Sequence, residues 1–294
     1  MQFRYYLLLI IAVIAISWAS ILTLLSGAQP IAVAFWRTAI AAAVLSPLLI
    51  IERKNNTYAP SRNETILMVV SGIALAAHFM TWIESLYLTN VAASTTLVST
   101  YPIFTLVMGR LIGEKVGKRS ILGTLVAFLG IVLITVPEFY VSMKALIGDL
   151  LALVGSMSGA VYFLVGRFIR VKVSLAMYTV PVYSVSALTT LFVGLILHSR
   201  LWPYPLYTWL YILMIVLGPM LLGHTLLNYS LRYSRAITIT TSTLGEPIVA
   251  SLLAYIIFHQ VPQALTVVGI VMTLLGIYTV ISEETRMQND LSED

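Results

Sequence analysis

Residues 85–102 read SLYLTNVAASTTLVSTYP, and 145 residues later residues 230–247 read SLRYSRAITITTSTLGEP. Ser85, Leu86, Thr95, Thr96 and Pro102 stand opposite Ser230, Leu231, Thr240, Thr241 and Pro247. Ile103 and Val116 continue onto Ile248 and Val261, and after a one-residue slip Gly123 and Gly130 meet Gly269 and Gly276. Both copies lie in a chain that is almost entirely apolar. A duplicated apolar unit is the sequence mark of a membrane transporter, so the repeat bears on function as well as fold.

The 294 residues are 59% hydrophobic and 10% charged, where a soluble domain carries about 25% charged residues. Mean hydropathy is +0.95. The apolar residues form long runs nearly free of charge, as a bilayer interior requires, so the fold class is an all-α integral membrane protein with lipid as its solvent. The net charge of +5 does not point to nucleic acid, because Lys and Arg sit in short loops between the runs. Without cysteine the chain makes no disulfide and no thiolate metal site. The first apolar run lacks a small-residue cleavage site and reads as a retained helix.

A span takes about 20 apolar residues. Ten candidates emerge: Tyr5–Leu25, Ile31–Ile51, Thr65–Leu88, Val91–Ile112, Ser120–Val136, Leu146–Gly166, Leu175–Leu197, Leu206–Leu231, Ala236–Phe258 and Ala264–Ile281. With the N-terminus in the cytoplasm, 14 basic residues fall inside, and only Lys144 and Arg200 fall outside. That asymmetry is a strong positive-inside signal and predicts that both termini are cytoplasmic. The repeat lays helices three to five onto helices eight to ten. Each unit is then five helices, and an odd number makes the second copy enter the membrane inverted. Residues 1–137 form the first repeat, 138–281 the second, and 282–294 an acidic, flexible cytoplasmic tail. Facing inverted units allow two mirror-related conformations of similar energy, the basis of alternating access.

An ionisable side chain in mid-bilayer costs at least about 2.5–3.5 kcal/mol, so each one asks for an explanation. Glu246 lies about ten residues, roughly 15 Å, into the ninth helix, and precedes Pro247, whose missing N–H frees a carbonyl in the preceding turn. Its repeat mate is Tyr101, before Pro102. Protonation of Glu246 could couple to substrate movement; the alternative is a fixed hydrogen-bonded pair shaping the helix junction. Arg37 and Glu84 share an outer-side depth and form a candidate ion pair, structural or gating. A substrate carboxylate could instead compete for the Arg37 fork. His78 and Trp82 share a face of the third helix, and His224 and Asn228 a face of the eighth. With Trp18 and Tyr162 as aromatic walls they are candidate cavity residues, against ordinary interhelical packing. The Gly123/Gly130 and Gly269/Gly276 stripes read as packing seams within the fold or in a dimer, and Thr95, Thr96, Thr240 and Thr241 as interhelical hydrogen bonders. No dense cluster has metal-ligand spacing, and no GxxxxGK loop is present. The chain therefore reads as using no metal, no cofactor and no ATP.

The motifs SLYLTNVAASTTLVSTYPIF and LIGEKVGKRSILGTLVAFLGIVLI, the second-copy GEPIVASLLAYIIF and TVVGIVMTLLGIY, and Phe35-Trp36-Arg37 resemble those of the EamA-type drug/metabolite transporters. The likeness covers essentially the whole chain. It implies ten helices as two inverted five-helix repeats, with the first four of each around a central cavity and the fifth packed outside. Members usually carry an acidic residue after the fourth helix of each unit; Glu114 keeps it, whereas His259 and Gln260 replace it in the second copy. The implied function is a secondary transporter of the cytoplasmic or inner membrane moving small organic metabolites, amino acids or related compounds, with efflux the direction the resemblance favours. One alternative is a proton-coupled exporter of lipophilic cations or drugs. The other is a non-transporting partner or an intramembrane enzyme, although no nucleophile–base pair is evident. The partners expected are a small-molecule substrate and lipid, not nucleic acid, for a monomer or homodimer.

Overall fold

The computed structural model describes residues 2–55, 58–89, 91–113, 116–135, 142–249, 252–253 and 264–293, and these are helical or short connections without a strand. Glu114, His259 and Gln260 lie outside them. The chain runs α1 (Gln2–Ile16), α2 (Ala19–Ser26), α3 (Pro30–Asn55), α4 (Arg62–Leu88), α5 (Val91–Val98), α6 (Tyr101–Leu111), α7 (Lys118–Thr135), α8 (Met143–Arg170) and α9 (Leu175–Ile196). It continues through α10 (Leu206–Ile215), a π-helix (Val216–Thr225), α11 (Leu226–Ser230), α12 (Ala236–Ser242), a 3₁₀ turn (Thr243–Gly245) and α13 (Ala264–Glu293); helix resumes over residues 246–249.

Among the described residues, six helical segments are long and apolar enough to cross a membrane: Leu7–Ser26, Pro30–Asn55, Arg62–Leu88, Met143–Arg170, Leu175–Ile196 and Leu206–Ser230. The other expected spans fall on α5 with α6, on α7, on α12 with its 3₁₀ extension, and on α13. The fourth and ninth are broken at the same place in the repeat. In the first copy, Ser99 and Thr100 form a turn, Thr100 N–H reaches the Leu97 carbonyl at 3.2 Å, and Ile103 N–H the Thr100 carbonyl at 2.9 Å. Pro102 then stands in the first turn of α6, where a residue without N–H is tolerated best. In the second copy the 3₁₀ turn does the same before Pro247. The chemistry that shortens both helices is therefore the proline that the repeat preserves.

Caps fix the other ends. Ser61 and Glu64 form a reciprocal capping box on α4. Glu52, at the end of α3, accepts from the backbone N–H of Ala176 (2.9 Å) and Met177 (3.1 Å) and so caps α9. Glu283 accepts from Ser120 N–H at 2.6 Å and caps α7. A carboxylate at a helix N-terminus meets both the orphan donors and the helix dipole. The acidic segment after Glu283 continues α13 to Glu293. Its Glu, Arg, Met and Gln residues are good helix formers that extend a helix already nucleated in the apolar stretch.

Packing follows small residues. Gly148, Ala152, Gly155 and Gly159 recur at helical spacing along α8 and pack it onto α4; a Cβ at Gly155 would reach Thr81 Oγ1 at 3.0 Å, and one at Gly159 the His78 ring at 3.0 Å. In the other half, α1 and α2 lie against α10, the π-helix and α11, so spans three and six repeat the relation of spans eight and one. The spans of equal rank also meet: α3 packs on α9, and α7 on α13. Glu52 caps the start of α9, while Gly194 near its end adjoins Ile31 at the start of α3. The two helices therefore run antiparallel. So do α7 and α13, where Gly123 adjoins Gly276 and Gly130 adjoins Gly269. The glycine stripes are thus seams within the fold.

Candidate functional site

The helix interruptions before Pro102 and Pro247 meet at one place. Tyr101 and Glu246, 145 residues apart in the repeat, both line one buried cavity. Its walls are completed by His78 and Trp82 from α4, Phe163 from α8 and His224 from the π-helix, with Ile16 and Ala19 at one side. Its volume is about 20 Å³, room for about one water molecule. A metabolite fits only if these helices part.

The rings make a continuous aromatic lining. His78 stacks near Trp82, centroids 6.1 Å apart at 14°, and His224 stacks near Phe163, 6.4 Å at 11°. The two imidazoles lie 6.1 Å apart. His78 Nδ1 sits 2.9 Å from the Gly155 carbonyl, which can only accept; Nδ1 therefore carries the proton. That bond depends on the small-residue face of α8, which lets the ring approach backbone. His224 is set by the π-helix, where Thr225 Oγ1 donates to the Met220 carbonyl at 3.1 Å. Pro219, inside this segment, removes an N–H from the regular ladder, and the wider turn results.

Behind the cavity lies a polar layer. Asn228 Nδ2, with two hydrogens to donate, has the Tyr162 hydroxyl (2.5 Å), the His224 carbonyl (2.8 Å) and the Tyr183 hydroxyl (3.3 Å) within hydrogen-bond distance. Tyr183 in turn pairs with Thr225 Oγ1 at 3.0 Å. Arg37 projects from α3 into this layer, fully buried, with its guanidinium carbon 3.8 Å from the centre of the Phe79 ring. Its three nitrogens have no hydrogen-bond partner among the described residues. The described acid within its electrostatic range is Glu246.

This chain matches the EamA-like transporter family over residues 3–136 and again over residues 146–282. It belongs to the EamA-like transporter family. It is a multi-pass membrane transporter. It is similar to the uncharacterized transporter YyaM of Bacillus subtilis (strain 168), 23% identical over 259 residues that cover 85% of this chain and 84% of that protein. Its fold is that of a solved crystal structure at TM-score 0.76 and 17% identity, covering 97% of this chain and 98% of the other.

Against this EamA-like frame, the sequence candidates separate. His78, Trp82, Tyr101, His224 and Glu246 converge on the cavity. Tyr162 and Asn228 stand one layer behind it. Trp18 is directed elsewhere: it lines an outer apolar pocket of about 310 Å³ with Leu22, Pro219 and Leu222. Ile16 and Ala19, three apart, share the inward face of this span, and Trp18, about 200° round from Ile16 at 3.6 residues per turn, faces the other way. The expected Arg37–Glu84 pair does not form, since Arg37 has no hydrogen-bond partner among the described residues and its neighbouring acid is Glu246. Glu84 is half-buried, beside Tyr87. Similar depth had suggested the pair, but α3 and α4 turn these two side chains to different neighbours. Thr241 Oγ1 does bond across helices, to Thr124 Oγ1 at 3.2 Å, whereas Thr240 bonds back to the Ala236 carbonyl at 3.0 Å.

Three contributors were missed from sequence: Phe79, Phe163 and Tyr183. Phe79 precedes Trp82 by three and so shares its face, and Tyr183 follows Pro181 in α9 by two. A search for aromatics at helical spacing from Trp82 would have found the first.

Proposed function

We propose that this protein is a secondary transporter exporting small organic metabolites, amino acids or related compounds, across the cytoplasmic membrane by alternating access. In this reading ten spans form two inverted five-helix units, residues 1–137 and 138–281, and both termini are cytoplasmic. The observation that carries it is the convergence of Tyr101 and Glu246, equivalent positions of the repeat, on one cavity. The antiparallel pairing of α3 with α9 and α7 with α13 supports it, because spans of equal rank in inverted units must run in opposite directions. The near-closed cavity corresponds to an occluded stage between outward and inward opening. His78, Trp82, Tyr101, His224 and Glu246 form the substrate site, backed by Tyr162 and Asn228.

A second reading, a proton-coupled exporter of lipophilic cations, is favoured by one observation: a buried carboxyl, Glu246, on an otherwise aromatic wall. Proteoliposomes separate the readings. Flux is measured for amino acids, nucleosides and quaternary amines, with and without a pH gradient. Amino-acid flux from preloaded vesicles supports the first reading, pH-driven amine flux the second. Binding without flux of any solute would overturn both.

A further inference from the structure

We propose that Arg37 recognises a carboxylate on the transported solute, so that the preferred substrates are amino-acid zwitterions with apolar side chains. This rests on the transporter reading above and narrows its substrate class.

Arg37 is fully buried, and Nε, Nη1 and Nη2 all have no hydrogen-bond partner among the described residues. A guanidinium offers five donors in a planar fork that matches a carboxylate bidentately. Burying that fork unpaired is costly, and the Phe79 face at 3.8 Å offsets only part of the cost. Buried orphans of this kind call for an explanation, and a ligand is one.

The orphan is not isolated. His224 Nδ1, Trp82 Nε1 and Asn228 Oδ1 are also buried without partners among the described residues. His224 and Trp82 line the cavity, and Phe79 lies edge-to-face with His224, ring centroids 5.0 Å apart. Phe79 thus touches both Arg37 and the cavity-lining His224, and its displacement would open the guanidinium toward the cavity. Around the enlarged space stand a cation, a neutral amide acceptor and the Glu246 carboxyl, with Trp82, Tyr101 and Phe163 as apolar walls. This complement fits a carboxylate, an ammonium and an apolar side chain. A lipophilic cation would instead bring a second positive charge toward Arg37 and is disfavoured.

The test is calorimetric titration of the purified full chain with L-phenylalanine and L-leucine, and with 2-phenylethylamine, isoamylamine and L-phenylalaninamide, which lack the carboxylate. The acids are expected to bind at least tenfold more tightly than their amines and amide. Arg37→Gln is expected to weaken acid binding tenfold or more while changing amine binding less than twofold, and Arg37→Lys to lose less. If Arg37→Gln does not fold, the wild-type ligand series and Arg37→Lys carry the test. Equal binding of acids and amines by the wild type, no binding of any probe, or unchanged acid binding by Arg37→Gln overturns the inference. Vesicle flux of other solutes under those outcomes would leave the transporter reading intact; absent flux would remove that reading as well.

Discussion

Gly123 and Gly276 meet where α7 crosses α13: a Cβ on Gly123 would lie 2.8 Å from the Gly276 carbonyl oxygen. Gly130 and Gly269 meet in the same way one turn-pair along, and Thr273 Oγ1 donates to the Ala127 carbonyl at 3.3 Å. The backbones approach this closely because neither position carries a side chain. Association of helices in lipid rests on such packing rather than on the hydrophobic effect. Gly276→Leu is therefore expected to cost about 1–3 kcal/mol by overpacking, read as a lowered unfolding temperature in detergent. Gly218, which has nothing within 4 Å of an added Cβ, is the control. Gly218→Ala should stay within about 0.5 kcal/mol of wild type. Equal stability of the two variants would mean that the seam does not hold α7 to α13.

A second prediction concerns Glu52. One oxygen of this carboxylate accepts from Ala176 N–H, Met177 N–H and, at 2.5 Å, Ser174 Oγ. It ties the end of α3 to the start of α9, the spans of equal rank in the two halves. Glu52→Ala is expected to cost about 0.5–2 kcal/mol, the range for losing a cap. Glu52→Gln keeps an acceptor but not the charge, and should lose less. The check is the order of thermal midpoints: wild type, then Gln, then Ala. A midpoint for Ala equal to wild type would show that the bonds to α9 contribute nothing to holding the halves together.

The contrast between Glu52 and Arg37 shows where sequence reading stops. Apolar run length, the Ser85–Pro102 repeat and the glycine stripes act locally or by simple offset, so the all-helical fold and the equivalence of Tyr101 and Glu246 in the repeat were legible, whereas the runs expected to be unbroken at Val91–Ile112 and Ala236–Phe258 are interrupted before Pro102 and Pro247. Rotation of one helix about its axis is not legible. Arg37 and Glu84 match in depth and charge, but depth is one coordinate of three, and the guanidinium lies over the Phe79 ring instead. Trp18 lies on the opposite side of its span from Ile16 and Ala19, and which side of a span faces inward is a rotation of the same kind. The π-helix that sets His224 has only Pro219 and two glycines as a signal, and these equally suit a kinked α-helix.

Asn228 is the residue on which the polar layer depends. Its amide nitrogen lies within hydrogen-bond distance of Tyr162, Tyr183 and the His224 carbonyl, and these three groups sit behind the cavity wall. Asn228→Leu leaves buried hydroxyls and a carbonyl short of a donor, at a cost of about 1–3 kcal/mol. Asn228→Asp replaces the donor with acceptors facing a carbonyl and is expected to be at least as damaging. Both variants should lower thermal stability. Both should also slow flux, since the π-helix turn carrying His224 loses its tether. A stable, fully active Asn228→Leu would show that Tyr162 and Tyr183 satisfy each other without it.

The last prediction addresses coupling, using the repeat as its own control. Tyr101 and Glu246 occupy equivalent positions before Pro102 and Pro247 and line the same cavity, yet only Glu246 is acidic. If proton movement drives transport, it passes through Glu246, whose charge the surrounding aromatic wall solvates poorly. Glu246→Gln preserves size and hydrogen bonding while fixing the neutral form. In proteoliposomes this variant is expected to keep downhill exchange of substrate but to show no response to an imposed pH gradient. Tyr101→Phe removes only a hydroxyl that bonds Thr243, so the pH response should survive it with a smaller change in rate. A Glu246→Gln variant that responds to the gradient as wild type does would assign the glutamate to helix-junction structure and move coupling elsewhere. Loss of the response in Tyr101→Phe as well would mean that the junction geometry, rather than the carboxyl, sets it.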